Sequence, residues 1–388
     1  MRLFEQMHRT RIAPKMRGEG EYAFYNSSAR RPFEVYRELL NTWISELPLD
    51  VQAEMMERFR SGTEQQYEAA LAEVVIHAAL VRQRCSIQCH PEVPTAGKRP
   101  DFLLLGRAKE PIAYVEVTSF GPPADIVARD RREAPVYNGL DRVDLPPGWL
   151  LGYEIKKFGS RSPNIGRLKR EVSSWATVVC INDTDMPQMT FEIDEWEINL
   201  TLFGGFDKNK IYERKIAAAS GQVRYLTADE EIRQALALKG GRYGIESKPY
   251  IIVVADCKGE LQSGDGIRDA AVEALFGSEQ VVAKAFVDGS FDTRLSRARD
   301  GYWGYPENPR NRNVSAVIVL PQPNLWKLRE EKWQPIRIDN PWAAHPFPTE
   351  ILPLPGYKLE VSEDALVSTV GTRLADLLSL PVPWPPEE

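Results

Sequence analysis

The spacing of hydrophobic residues predicts a chain that mixes helices with strands. Within residues 1–62, apolar residues recur every three or four positions in two stretches, which is typical of amphipathic helices. Residues 64–84 predict a longer helix, which Thr63 and Gln66 open with a capping-box pattern. All but one of the residues from Val74 to Val81 are apolar, so this helix should be buried on nearly all sides.

Downstream of this helix, short strands and helices alternate. Strands are expected at residues 86–90, 102–105, 111–120, 149–158, 191–203, 250–257 and 314–320. Helices are expected at residues 124–143, 165–176, 229–239, 267–276 and 362–380. The segment from Pro321 onward holds 12 of the 29 prolines and should pack on the core without forming its own. These elements predict an α/β fold.

Composition and charge argue against several classes of protein. The chain has 388 residues, of which 43% are hydrophobic and 27% charged, as in globular proteins. Its net charge of -6 argues against a histone-like nucleic-acid binder, although a local basic patch could still bind phosphate. The apolar runs are too short to span a bilayer, and the N-terminal segment lacks the apolar stretch of a secretory signal. With only four cysteines, a cytoplasmic protein without membrane partners is expected.

Three acids interrupt elements that otherwise look buried. Asp101 follows Pro100 at the start of a strand, Glu116 lies within the next strand, and Glu73 lies in the long helix. If the two strands form a hairpin, counting back along it places Asp101 opposite Glu116, where two carboxylates would repel. A hard cation such as Mg²⁺, bound by both carboxylates, would offset this repulsion. Taken singly, Asp101 could instead cap a turn, Glu116 could pair with an arginine, and Glu73 could lie at a solvent-exposed helix edge.

These residues resemble the motifs of the PD-(D/E)xK, or restriction-endonuclease-like, nuclease superfamily. The match rests on Glu73, Pro100-Asp101 and Glu116-Val117-Thr118. The chain also resembles an uncharacterised bacterial group within that fold. That second resemblance is carried by residues 70–73 with His77, residues 137–140, 239–244 and 248–250, and residues 273–277.

The resemblance implies both an architecture and a metal site. It implies an α-β-β-β-α-β core with a mixed sheet at residues 63–258, interrupted by a large α/β insertion at 121–225. A helical extension (1–62) would precede this core and an α/β extension (259–388) would follow it. Asp101 and Glu116 would be the ligands of Mg²⁺ or Mn²⁺, with Glu73 assisting.

The chain departs from the family pattern at Thr118. The family usually has lysine there, whose ammonium activates water and offsets charge on the phosphate, and a hydroxyl cannot supply that charge. Lys239 is one replacement, because it continues the apolar face of its helix and Lys239-x-x-x-Tyr243 resembles a Gln-x-x-x-Tyr motif of related nucleases. Lys239 could instead be a cation at the end of its helix that reaches water. Lys156 and Lys157 are further candidates for the missing lysine.

One stretch is rich in basic residues and contains no acid. It predicts a phosphate-binding face made of Lys156, Lys157, Arg161, Arg167, Lys169 and Arg170. A solvated surface is the alternative. A second stretch, 294–312, mixes arginines with aromatic residues that either stack on bases or pack within the protein.

Two further groups of residues have side chains suited to chemistry. A zinc site at Cys85, Cys89 and His90 lacks a second ligand pair. His77 fits a core histidine better than a catalytic base.

Two functions remain open. One is a metal-dependent DNA endonuclease, which as a homodimer could cut both strands of a duplex. The other is a catalytically inactive nuclease fold that binds nucleic acid or serves in an assembly.

Overall fold

Helices and strands form largely where the hydrophobic spacing predicts them, and the mixed α/β class is confirmed. The computed structural model describes residues 1–95, 97–180, 186–210, 212–219, 228–245, 247–259, 261, 264–285, 291–360 and 365–387. The helices in these ranges are α1 (Glu21–Ser27), α2 (Arg31–Ser45), α3 (Leu49–Arg60), α4 (Glu64–Arg82), α5 (Ala124–Leu140), α6 (Ile165–Val179), α7 (Ala228–Gly240), α8 (Gly264–Phe276) and α9 (Leu374–Leu377). The strands are β1 (Ser86–Cys89), β2 (Phe102–Leu105), β3 (Pro111–Phe120), β4 (Leu150–Lys157), β5 (Gln188–Ile193), β6 (Trp196–Phe203), β7 (Ile216–Ala219), β8 (Tyr250–Asp256), β9 (Glu279–Ala285), β10 (Phe291–Arg297), β11 (Gly304–Tyr305), β12 (Asn308–Pro309), β13 (Ala316–Leu320), β14 (Ile336–Asp339), β15 (Gly356–Glu360) and β16 (Ala365–Thr369).

Two of the predicted elements are wrong. The strand predicted at 191–203 is a hairpin of β5 and β6, because the chain turns back at Asp194, which adopts a φ of 55°. The helix predicted at 362–380 is instead β16 followed by the short α9, and residues 361–364 lie outside the described ranges. In β16, the β-branched Val367 and Thr369 favour a strand that pairs with β15.

The chain divides into two units. The larger unit comprises Met1–Arg11, Gly20–Gly121 and Leu226–Glu388, and the smaller unit comprises Ile12–Glu19 and Pro122–Tyr225. The second segment of the smaller unit has nearly the bounds predicted for the insertion. The short first segment gave no signal in the sequence that it would join the smaller unit.

The sheet of the larger unit combines a hairpin with parallel strands. Its strand order is β1-β2-β3-β8-β13-β14-β15-β16, in which β1 to β3 are antiparallel and β3, β8 and β13 are parallel. Every residue of β8 is buried, as expected for a strand covered on both faces. Helix α4 packs in the hydrophobic cluster on one face, and α7 and α8 pack in the cluster on the other.

The pairing of β2 with β3 follows the predicted register for most of its length. Phe102 lies opposite Val115, as counting along the hairpin predicts. The predicted pairing of Leu105 with Ile112 is wrong, because a bulge brings Pro111 opposite Leu105. The bulge lies at the turn, so it leaves the register at the other end of β2 unchanged.

Helix α4 is the buried helix that the sequence predicts. Its residues from Ala70 to Leu80 are all buried. Thr63 is the N-cap residue as predicted, but its side chain makes no capping hydrogen bond, so the predicted capping box does not form. Burial of apolar side chains therefore stabilises this helix more than its cap does.

The smaller unit holds its N-terminal segment by polar contacts. Its sheet has the order β5-β6-β4-β7. The Arg17 backbone N–H donates to Asn138 Oδ1 at 3.0 Å, and the Arg17 guanidinium lies 3.0 Å from Glu133 and 2.6 Å from the Tyr153 hydroxyl. Gly18 has a φ of +77°, and a Cβ there would lie 2.8 Å from the Cβ of Ala134, so the site requires glycine. None of the helices in the described ranges is long and apolar enough to cross a bilayer.

The buried carboxyl of Glu68 should make the folding stability depend on pH. Burial first, then repulsion from Glu64, Glu21 and Asp256, raises the pKa of Glu68 from 4.5 to about 8, although Gln322 donates to its carboxylate at 2.7 Å. A carboxyl whose pKa is higher in the folded state stabilises the fold below pH 4.5, and this stabilisation is lost as pH rises from 4.5 toward 8. We expect Glu68→Gln to raise Tm by roughly 5 °C at about pH 9 and to change it little at about pH 5. Thermal melts of both proteins at the two pH values would measure this, and an equal Tm difference at both would contradict it.

Candidate functional site

Asp101 and Glu116 meet where β2 begins. The register of the hairpin, continued by one residue, places Asp101 beside Glu116. Asp101 Oδ2 accepts a hydrogen bond from the Val117 backbone N–H at 2.6 Å. Because β2 starts at Phe102, no described strand pairs with β3 on this side beyond Val115. The Asp101 carboxylate therefore lies at an open edge of β3.

Lys239 contacts Glu116 from helix α7. Its ammonium forms an ion pair with Glu116 Oε1, and its side chain is 21% exposed. The Tyr250 hydroxyl donates to the Lys239 carbonyl at 3.2 Å. Burial and then the neighbouring Glu116 raise the pKa of Tyr243, which lies four residues after Lys239, beyond the end of α7. The structure thus places Lys239 on the inward face that the helical spacing predicts, against the carboxylate and not reaching away to water.

One oxygen of the Glu116 carboxylate has no hydrogen bond of good geometry. Glu116 is 1% exposed, and its buried Oε2 meets no described donor in such geometry, although the Tyr243 hydroxyl lies close enough to the Glu116 carboxylate for their interaction to raise the pKa of Tyr243. A buried carboxylate oxygen normally accepts a hydrogen bond or binds a cation, because leaving it bare has a desolvation cost. Oε2 is therefore available to a further cation or donor.

Glu73 forms an ion pair with Arg58, a residue that no sequence motif indicates. Arg58 Nη1 and Nη2 donate to the two oxygens of Glu73, each at 2.7 Å. Burial raises the pKa of Glu73 despite the opposing effect of Arg58. Arg58 lies on α3 among other charged residues, and nothing in its local sequence distinguishes it from its neighbours. Its role follows only from the contact between α3 and α4.

The carboxylates repel one another across the site. Burial and then the charges of Glu73 and Glu116 raise the pKa of Asp101 well above its usual range, while its hydrogen bond from Val117 acts in the opposite direction. Within the described parts of the chain, no group of three or more His, Cys, Asp or Glu side chains is close enough to hold a metal ion. The pair of Asp101 and Glu116 is therefore the candidate ligand set, with Glu73 bound to Arg58 beside it.

Two other predicted residues lie near the site without joining it. Thr118 is partly buried on β3, opposite Val254, and shares the face of Glu116 by strand alternation. His77 is buried against Phe102, with ring centroids 5.6 Å apart, and burial lowers its pKa to about 4. A neutral, buried imidazole agrees with its prediction as a core histidine.

The six basic residues predicted to bind phosphate belong to the smaller unit. Lys156 pairs with Glu154 at 2.7 Å and Arg167 pairs with Glu171 at 2.7 Å. These two acids, Glu154 and Glu171, lie just outside the basic stretch at residues 156–170. Lys157, Arg161 and Arg170 are exposed and Lys169 is partly buried. Their binding to nucleic acid stays a prediction.

The arginine and aromatic stretch at 294–312 packs largely within the protein. Trp303 and Tyr302 are buried, and the Arg299 guanidinium lies 4.6 Å from the centre of the Tyr305 ring. The Arg310 side chain donates to the Gly301 carbonyl at 2.9 Å. These contacts favour packing over base stacking for this stretch.

No family model, curated protein or solved structure matches this chain. The function of this site therefore has to be inferred from the contacts and burial of Asp101, Glu116 and Lys239.

Proposed function

We propose that this chain is a divalent-metal-dependent nuclease that hydrolyses phosphodiester bonds, with DNA as its substrate. The observation that carries the proposal is the buried Glu116, which has one oxygen bound to Lys239 and the other without a hydrogen bond of good geometry. Beside it lies Asp101, whose pKa is raised by burial and by the neighbouring carboxylates. Two repelling carboxylates at an open strand edge are suited to a hard cation.

The order of elements around the site supports the same proposal. Along the larger unit, the elements follow one another in the order α-β-β-β-α-β, namely α4, β1, β2, β3, α7 and β8. The Pro122–Tyr225 segment of the smaller unit is inserted between β3 and α7. This is the order that the resemblance to PD-(D/E)xK nucleases implies. Asp101 before β2 and Glu116 in β3 are the residues to which the resemblance assigns the family's acidic roles.

The donor set fits Mg²⁺ or Mn²⁺. Mg²⁺ is commonly held by one or two carboxylates while water and phosphate oxygens complete its shell, so Asp101 and Glu116 suffice without a third acid. Such an ion supplies an activated water and stabilises charge on the scissile phosphate. Its charge would also offset the repulsion that raises the pKa of Asp101.

The remaining groups position the ligands and supply positive charge. Lys239 orients Glu116 through Oε1 and carries the ammonium that Thr118 cannot provide. The Val117 N–H fixes one oxygen of Asp101. Arg58 neutralises Glu73, which otherwise would add a third negative charge beside a phosphate substrate.

The direct test is cleavage by the full chain. We expect supercoiled plasmid DNA to be nicked or linearised in Mg²⁺ or Mn²⁺, and to stay intact in EDTA, because the ligands alone do not activate water. Gel electrophoresis measures the products. Absence of cleavage of duplex DNA, single-stranded DNA and RNA with either metal would overturn the proposal.

That negative result would favour an inactive fold that binds nucleic acid. Thr118 is the observation behind this second candidate, since the usual lysine position lacks an ammonium. Binding without turnover, unaffected by Mg²⁺, would be its signature.

A further inference from the structure

An open groove of about 400 Å³ adjoins the acidic site on the α4 side of the sheet. Its lining consists of Arg58, Gln65, Gln66, Ala69 and Ser119. None of these five described residues is acidic, although the whole chain carries a net charge of -6. The groove thus presents hydrogen-bond donors and one cation close to carboxylates.

Arg58 retains donors that face away from Glu73. A guanidinium has five N–H groups, of which two donate to Glu73 and a second one on Nη1 donates to Met55 Sδ at 3.8 Å. The Nε–H and one N–H of Nη2 are the remaining donors. The side chain is 24% exposed and lines the groove. An oxyanion in the groove could therefore bind a guanidinium whose orientation the ion pair with Glu73 already fixes.

Two glutamines on the first turn of α4 line the groove together with Arg58 of α3. Gln65 and Gln66 are exposed, and neither side chain makes a hydrogen bond to a described residue. A Cβ at Gly121 would lie 2.6 Å from Gln65 Nε2, so glycine at this position allows Gln65 to lie close to the chain just after β3. Both amides are free to donate to a ligand.

Ser119 connects the groove to Asp101. The Val117 amide donates across the open edge to Asp101, and by strand alternation the Ser119 amide, two residues on, faces the same edge. Two residues of strand span about 7 Å, so the Val117 and Ser119 amides are neighbours along this edge. The Ser119 side chain lies on the α4 face of β3 and Glu116 on the α7 face, so a strand bound in the groove would reach the acidic pair around this open edge.

We propose that this groove is a subsite for a backbone phosphate of the strand whose scissile phosphate lies at the acidic pair, held by Arg58, Gln65, Gln66 and Ser119. The inference rests on the proposed nuclease function, because it assigns the groove to the same substrate. The donors read phosphate and not base edges, so the subsite would position a strand without selecting its sequence.

The test is a double variant, Gln65→Leu with Gln66→Leu, against Gln234→Leu as the control. Gln234 is an exposed glutamine of α7, so it matches the substitution on a helix outside the groove. Binding of a short fluorescein-labelled DNA duplex is measured by anisotropy in EDTA, which separates binding from cutting. We expect the double variant to raise Kd about tenfold and the control to leave it unchanged. Inorganic phosphate should compete with the duplex less effectively in the double variant than in the wild type.

Each outcome decides one of the two proposals. A double variant with wild-type Kd and wild-type phosphate competition overturns the subsite, whether or not the protein cuts. A wild type that binds neither probe also overturns it. A wild type whose binding depends on the two glutamines but which never cuts DNA supports the subsite and contradicts the nuclease function. Circular dichroism of each variant excludes unfolding as the cause.

Discussion

Asp101→Asn is expected to abolish Mg²⁺-dependent cleavage and Mg²⁺ binding while raising stability in EDTA. The substitution removes a charged ligand but keeps an oxygen that can accept from the Val117 N–H. It also removes one of the charges that repel one another at the site, so Tm of the metal-free protein should rise. Loss of function combined with a gain in stability is the result expected of a ligand site and not of a structural residue.

Cleavage assays, calorimetric Mg²⁺ titration and thermal melts would measure the three effects. Asp292→Asn is the matched control, because Asp292 is exposed on β10, and it should change none of them. Retained cleavage in Asp101→Asn would remove Asp101 from the metal site. A lower Tm would show that its carboxylate stabilises the fold.

Lys239→Met is expected to slow the chemical step by about two to three orders of magnitude while leaving Mg²⁺ binding intact. Losing one preorganised electrostatic group has an effect of this size. The substitution also leaves the buried Glu116 carboxylate without its ion-pair partner, which should lower the Tm in EDTA. Mg²⁺ should restore much of that Tm, because a bound cation takes over the pairing with Glu116.

Single-turnover rates at saturating DNA, together with melts in EDTA and in Mg²⁺, test this expectation. Lys332→Met, an exposed position in a loop, should behave as wild type in both. Cutting at the wild-type rate would exclude Lys239 as the replacement for the missing lysine. A Tm deficit that Mg²⁺ does not reduce would contradict a cation site at Glu116.

The sequence predicts the parts of the site that local patterns determine. Counting along one hairpin places Asp101 beside Glu116, and the three-four spacing of α7 places Lys239 inward. Such patterns say which face a residue occupies, but not which distant residue it meets. The pairing of Arg58 with Glu73 depends on how two helices pack, so it could not be predicted from either helix alone.

The errors in secondary structure have local causes. The turn between β5 and β6 uses Asp194 at positive φ, and two polar residues within an alternating apolar run gave too weak a signal to split it. The predicted C-terminal helix failed because pairing with β15 outweighed the apolar spacing of residues 365–369.

The position of the smaller unit within the chain also determines the order in which the protein can fold during synthesis. Strand β3 leaves the ribosome before the Pro122–Tyr225 segment of the smaller unit, and its parallel partner β8 only after that segment. Until β8 emerges, one side of β3 has no partner strand. The hydrophobic cluster that contains α7 and α8 cannot form before then either. A smaller unit that folds first brings its own chain ends to fixed positions, which shortens the effective loop that β3 and β8 must close. The nascent chain would then acquire its carboxylate pair well before the lysine that neutralises it.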